Sequence, residues 1–265
     1  MALSVTLGPR LQTVALFVPK GANLGDIGTD HAYLPIALYE TQRISKAVAI
    51  DIHEGPYQSA LTAVKARHLE AVINVRFGDG LMPLQSGEVN VLTLAGMGGK
   101  TMLDILFTRL DVLEPVRDLI LQPQGAESAV RLALLDAGWR LKAERLVEED
   151  HRIYVVMAYS KDEGLDGDGV KTMECNWTQR LHPFLENGSI LASEFQSLVE
   201  KLVWHFGPLV LEERTDLLTP YINEYKSMLE RRMVQMKKSN NPEIMDKIRE
   251  VFVELILVEG LRTWQ

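Results

Sequence analysis

Two carboxylates stand four residues apart in the run Asp26-Ile27-Gly28-Thr29-Asp30-His31-Ala32-Tyr33. Gly28 removes a side chain where backbone must approach a ligand. Acids on both sides of that glycine disfavour a pyrophosphate, which wants a glycine cradle and a helix start free of competing anions. They suit a positively charged ligand. The G-x-G-x-x-G pattern is absent, because Gly28 is followed by Thr29, Asp30 and His31. A sulfonium cofactor therefore fits better than a dinucleotide. Asp51 follows at the distance, roughly 20 residues, where an acid can accept hydrogen bonds from both ribose hydroxyls. Its plainer reading is a helix cap ahead of Glu54. Asp79, in Gly78-Asp79-Gly80-Leu81, can accept from an exocyclic amine and equally suits a turn. In Leu94-Ala95-Gly96-Met97-Gly98-Gly99 the glycines let backbone lie against something flat or bulky. The Asn/Asp-Pro-Pro-Tyr tetrapeptide of amino-methylating enzymes does not occur there, which weighs against chemistry on an exocyclic amine. Gln122, in Leu121-Gln122-Pro123-Gln124, either meets a base edge or satisfies loop backbone.

Other chemistries find little support. The six histidines, His31, His53, His68, His151, His182 and His205, lack metal-ligand spacing with one another or with cysteine. No metal is expected. No G-x-S-x-G elbow occurs, and the single Cys175 has no evident base beside it. Gly98-Gly99-Lys100-Thr101 only approaches a Walker A loop, lacking the first spaced glycine.

These residues need a scaffold that brings loop ends together. Short β-rich runs at 23–27, 47–51, 73–77, 90–94 and 118–122 alternate with periodic segments such as 57–68 and 101–110. That alternation predicts a doubly wound, mostly parallel sheet, whose ligands bind at the carboxyl ends of the strands. Runs at 140–146 and 152–159, joined by the acidic loop Glu148-Glu149-Asp150, predict a closing antiparallel hairpin. With it the expected sheet has seven strands, and such a hairpin is also the ending expected of a class I (Rossmann-like) methyltransferase sheet. The acidic, glycine-rich stretch 161–169 reads as a boundary. The expected division is a cofactor-binding domain over 1–160, a linker or extra helical segment over 161–205 and a helical hairpin over 206–265. Pro208 should stop the helix before it. In the hairpin, Ile222, Tyr225, Met228, Leu229, Met233 and Met236 recur at helical spacing, as do Ile244, Ile248, Val251, Phe252, Leu255 and Val258. Ser239-Asn240-Asn241-Pro242 reads as the turn, with Pro242 near the first helical position.

The chain has 265 residues and a net charge of −8. Residues 1–160 hold 15 Lys and Arg against 18 Asp and Glu, and the remainder 13 against 18, so neither half is basic. Nucleic-acid binding would then need a local patch. Arg231, Arg232, Lys237 and Lys238, with Lys247 and Arg249, are the best candidate; a solvated helix face is the plainer reading. One unpaired thiol fits a reducing cytoplasm. Residues 1–10 lack a basic, then apolar, signal pattern.

The blocks taken together resemble a known family. They are Arg10-Leu11-Gln12-Thr13-Val14-Ala15 through Val18-Pro19-Lys20-Gly21, Asp26 through Pro35, Glu54-Gly55-Pro56, Gly78 through Leu81, Ala95 through Gly99, and Leu121-Gln122-Pro123. The chain is similar to the bacterial tRNA (adenine-22-N1)-methyltransferases (TrmK-like) over roughly residues 4–160, and Phe206-Gly207-Pro208 with the following hairpin resembles their second domain. The departures are Gly25 in place of a small apolar residue such as Ala, Asp51-Ile52-His53 in place of Glu-Val-Val, and a longer connection over 161–200. The resemblance implies S-adenosyl-L-methionine as donor and tRNA as partner, with no membrane involved. It places Asp26, Gly28, Asp51, Asp79, Gly80, Ala95 and Gly96 at the donor. Arg10, Met97, Gly98, Gln122, Pro123, Arg231, Arg232, Lys237 and Lys238 are placed at the RNA. On this reading Asp26 and Gly28 serve the methionine end, Asp51 the ribose and Asp79 the donor adenine. Asp30 is expected to assist transfer, with His31 and Tyr33 shaping or stacking on the base. Alternatives are a small-molecule methyltransferase, or a non-catalytic RNA-binding module on the same fold.

Overall fold

The computed structural model describes residues 5–185, 191–238 and 244–264. The chain forms two compact units, 1–166 and 167–265.

The first unit is a seven-stranded sheet in the order β3-β2-β1-β4-β5-β7-β6. Its strands are β1 (Ala22–Ile27), β2 (Ile44–Asp51), β3 (Ile73–Phe77), β4 (Val91–Met97), β5 (Asp118–Pro123), β6 (Arg140–Glu149) and β7 (Arg152–Ser160). The first five run parallel, and β7 is antiparallel to β5 and β6. Helices α1 (Pro9–Phe17), α2 (Tyr33–Glu40), α3 (Glu54–Lys65), α4 (Gly99–Thr108), α5 (Leu110–Leu113) and α6 (Glu127–Asp136) complete it. Leu24, Ile36, Leu38, Ile50, Ile73, Leu92 and Leu94 are fully buried. Each such side chain contributes about 1.5–3 kcal/mol by leaving water. Gly25 fits this core because a Cβ there would lie 2.7 Å from Leu92 Cδ2.

The order reverses between β1 and β4, the switch point at which open α/β sheets form a crevice. Register fixes what meets there. Ile27 pairs with Ile50 on one side and Leu94 on the other. The loops after β1, β2 and β4 therefore leave the sheet side by side.

Two expectations need correction in this unit. Glu148 and Glu149 are not loop residues; they continue β6 opposite Ile153 and Arg152. The turn is Asp150-His151, with φ of 51° and 58°, the left-handed pair that a two-residue hairpin turn requires. The boundary also falls later than 160. Leu165 bridges back to Leu141, so the stretch read as linker is tied to the sheet edge.

The second unit contains α7 (Gly167–Leu181), a short 3-10 turn (His182–Phe184), α8 (Ala192–Phe206), α9 (Pro208–Glu213), α10 (Leu218–Met236) and α11 (Ile244–Thr263). Of the two readings given for 161–205, the described residues from 167 on form the extra helical segment rather than a linker: α7 and α8 both pack against α11. Pro208 stands at the start of α9, and α8 ends at Phe206. Helices α10 and α11 pair as expected; the turn and Pro242 lie outside the described residues. The buried faces differ in detail from the expected ones. Met228 is exposed, and Phe252 is 56% exposed while Val253, Glu254 and Leu257 are buried. Because α11 packs on α7 and α8 as well as on α10, its buried surface is wider than one hairpin stripe and differently centred.

Candidate active site

The loop after β1 is shaped by three left-handed residues: Gly28, Asp30 and Ala32, with φ of 74°, 53° and 54°. Non-glycine residues rarely adopt this conformation, and it persists only where surroundings enforce it. The enforcement is visible. The Gly28 and Thr29 N–H groups donate to Ile50 O at 2.9 and 3.0 Å, and the Asp30 N–H donates to Asp51 Oδ2 at 3.1 Å. Asp51 Oδ1 accepts from the His53 N–H at 2.9 Å. Asp51 is therefore buried at the end of β2 and holds two loops at once. Each of its oxygens keeps capacity for a further donor.

Asp26 is buried one strand away. Its Oδ2 accepts from the Thr29 hydroxyl and its Oδ1 from the Thr93 hydroxyl, both at 2.6 Å. Burial pushes its carboxyl above the ordinary value; the two hydroxyls counter this and the nearby Asp51 charge adds to it. Asp26 braces the loop and, lining the smaller lobe, keeps acceptor capacity on each oxygen as Asp51 does.

Around these anchors lies a cleft with two lobes. The larger, of about 680 Å3, runs past Asp51, His53, Asp79, Gly80 and Met82. The smaller, of about 290 Å3, is lined by Arg10, Asp26, Asp30, His31, Tyr33 and Gln124. Gly28, Ala95 and Gly96 line both. The junction stays open because side chains are missing there: a Cβ on Gly28 would come within 2.8 Å of Met97 Cε. Gly96, at φ 79°, likewise needs to be glycine. Asp79 is exposed at the rim of the larger lobe. In the smaller lobe the Asp30 side chain is 68% exposed, and the His31 and Tyr33 rings stack at 5.0 Å with 14° between their planes.

The remaining expected residues divide. Met97 lines the larger lobe, and Gly98 caps α4. Gln122 and Pro123 are buried and line neither lobe. Gln122 is a support: its Oε1 accepts from Arg10 Nη1 at 2.7 Å and from the Gly96 N–H at 3.1 Å, and its Nε2 donates to Pro123 O. Expected at a base edge or in loop backbone, it serves the loop. Arg10 is tied by its Nε to Glu149 and lies over Tyr154 at 5.1 Å. Arg231 and Arg232 on α10, and Lys237 and Lys238 beyond its end, are exposed in the other unit. Among the described residues they have no ion pair. Thr29, Thr93, Gln124 and Glu149 are site residues that the sequence pattern did not mark. Only Gln124 had a signal, its place just beyond a strand end.

The groups of the larger lobe fit S-adenosylmethionine. A buried carboxylate with spare acceptor capacity suits two ribose hydroxyls, and a rim carboxylate suits an exocyclic amine. The glycine junction leaves room for a methyl-bearing centre.

A family described as a methyltransferase domain matches residues 7–157. The tRNA (adenine(22)-N(1))-methyltransferase of Bacillus subtilis is 40% identical over 164 residues, which is 61% of this chain and 69% of that one. The crystal structure of the B. subtilis M1A22 tRNA methyltransferase superposes with a TM-score of 0.78 at 28% identity, covering 97% of this chain and 99% of that one. A candidate tRNA (m1A22) methyltransferase of Streptococcus pneumoniae, solved in complex with S-adenosyl-L-methionine, superposes at 0.71 with 31% identity, covering 94% and 100%. The fold, the two-lobed cleft and these likenesses agree, and the chain belongs to the tRNA (adenine(22)-N1)-methyltransferase family.

Proposed function

We infer that this protein is an enzyme that methylates N1 of adenine 22 in tRNA, with S-adenosyl-L-methionine as donor. The observation that carries the reading is the pair of lobes meeting at Gly28 and Gly96. One lobe suits the donor and the other a nucleobase. The donor supplies a methyl group activated by a sulfonium. Asp51 and Asp79 would hold its ribose and adenine ends, with Gly28, Gly80, Ala95 and Gly96 lining the space it would fill.

Adenine N1 carries an in-plane lone pair, so no base is needed to uncover a nucleophile. The protein's task is to align that lone pair. N1 lies on the Watson–Crick edge, so the nucleotide must leave its stack to reach the smaller lobe. His31 and Tyr33 give that base a stacked aromatic surface. The adenine ring gains positive charge as the methyl arrives, and the Asp30 carboxylate favours that charge. Asp30 has its backbone fixed by Asp51, so donor and base share one support. Arg10 borders the base, set in place by Gln122 and Glu149. The cations of α10 hold the RNA through its phosphates. A tRNA substrate fits an enzyme of the cytoplasm. No helix among the described residues is long and apolar enough to cross a membrane.

The test is methyl transfer to tRNA followed by nucleoside mapping. The expected product is 1-methyladenosine at position 22. Asp30→Ala should lower turnover about a hundredfold while donor binding by calorimetry stays unchanged. Transfer to small molecules alone would favour the small-molecule enzyme, and RNA binding without transfer would favour the non-catalytic module. Full turnover in Asp30→Ala would remove Asp30 from the chemistry.

A further inference from the structure

The helical unit contains a cation–aromatic stack that methyl transfer does not use. The Arg180 guanidinium lies over Trp177 at 4.7 Å and over Trp264 at 4.6 Å. Arg214 lies over the same Trp264 at 4.7 Å. Trp177 and Trp264 meet edge to face, 5.5 Å between centroids. Four side chains from α7, from the residue ending α9 and from the residue just past α11 thus form one assembly.

Its two arginines differ. Arg180 is engaged by the Glu212 carboxylate. Arg214 is exposed, and among the described residues its guanidinium has no hydrogen bond or ion pair. Its backbone is unusual as well. At φ 48° and ψ 50° it ends α9 in the left-handed region without being glycine.

The physical consequence follows from guanidinium geometry. Stacking on an indole engages the flat face of the cation and leaves the in-plane N–H groups free. Those groups form the fork that matches two oxygens of a phosphate. A free surface arginine must be ordered when it binds; one already seated on a ring loses less on binding. The surroundings are not diffusely basic, since Glu213 and Asp216 flank Arg214 in the chain and both are exposed. A ligand here is recognised by one directed contact rather than by a field. The same unit carries Arg231, Arg232, Lys237 and Lys238, exposed and without an ion pair among the described residues, which makes a polyanion the fitting partner.

We propose that Arg214, seated on Trp264, is a phosphate-contact residue of the helical unit for the backbone of the tRNA substrate. The proposal rests on the tRNA reading above and adds a contact separate from the reacting base.

The experiment uses full-length protein and unmodified tRNA transcript. Equilibrium binding is measured between about 50 and 200 mM salt, and S-adenosylhomocysteine binding serves as the control. Arg214→Ala should weaken tRNA binding about tenfold and lower the salt slope by about one, with donor-product affinity and melting temperature unchanged. Arg214→Lys should restore the slope but only part of the affinity, because an ammonium lacks the fork. Trp264→Phe, which keeps a ring under the cation, should bind nearly as wild type. Trp264→Ala should match Arg214→Ala, and the double variant should lose little more. Wild-type affinity and slope in Arg214→Ala would overturn the proposal. So would full affinity in Arg214→Lys, or a fall in donor-product affinity in Arg214→Ala. If wild type methylates adenine 22 and Arg214→Ala binds tRNA normally, the proposal alone fails. If wild type neither binds nor methylates tRNA, the functional reading fails with it.

Discussion

The two units hold their charged groups in opposite ways. In the sheet unit, Asp26 and Asp51 are buried and every oxygen of both is fixed by a named donor. In the helical unit, Arg231, Arg232, Lys237 and Lys238 stand in water without ion pairs among the described residues. The buried charge there, Glu254, is consumed internally by the Tyr225 hydroxyl and Lys201. The difference follows from the two tasks. Aligning a lone pair with a methyl group rewards groups pinned to well under an ångström. Holding a polyanion rewards charge, and long mobile side chains supply it adequately. An acidic protein can therefore still bind RNA through exposed cations that are not pinned, even where an acid such as Glu230 stands beside them.

The largest test of this contrast is Asp51→Ala. It removes one acceptor from the Asp30 N–H and another from the His53 N–H, besides the ribose contacts. Affinity for S-adenosylhomocysteine by calorimetry should fall about a hundredfold, and melting should show a loss of about 1–3 kcal/mol. Normal binding in a folded variant would break the idea that pinned acids define this site. The next effect belongs to the other unit. Changing Arg231, Arg232, Lys237 and Lys238 together to Gln should weaken tRNA binding by about one to two orders of magnitude and cut the salt slope by up to about three. Melting temperature and donor binding should stay as they are. An unchanged slope would move RNA recognition elsewhere.

The same contrast decides what the sequence revealed. The strands and the loops after β1, β2 and β4 were legible because hydrophobic runs, glycines and acids recur at strand ends. The boundaries and supports were less so. Glu149 reads as a turn acid, yet β6 extends through it to reach Arg10. Gln122 reads as a base contact or loop residue, and only its burial beside Arg10 and Gly96 separates the two. Polar residues that serve other polar residues leave no periodic trace. In α11 the same limit applies in reverse. Phe252 looks like core and is exposed, while Glu254 looks like surface and is fully buried. Spacing along one helix cannot tell which neighbours will cover it.

The smallest expected effect concerns Asp26 and sharpens the comparison from the stability side. Burial lifts its carboxyl above the ordinary value of 3.8 in the folded chain. The folded state then holds this proton more firmly than the unfolded chain does. Stability contributed by the protonated form is complete below the unfolded value and declines as pH rises through the folded one. Asp26→Asn does not titrate, and its amide can still meet the Thr29 and Thr93 hydroxyls by accepting from one and donating to the other. The melting temperature of Asp26→Asn relative to wild type should therefore climb as pH is raised from about 4 toward neutrality, by roughly 2–4 °C for each kcal/mol involved. A difference that stayed flat or shrank would show that the buried acid carries no desolvation penalty. Because the Asp51 charge adds to the lift on Asp26, removing it with Asp51→Asn should reduce that pH dependence. The two buried acids would then be seen to act on each other, which widely hydrated cations on a helix surface cannot do at the same strength.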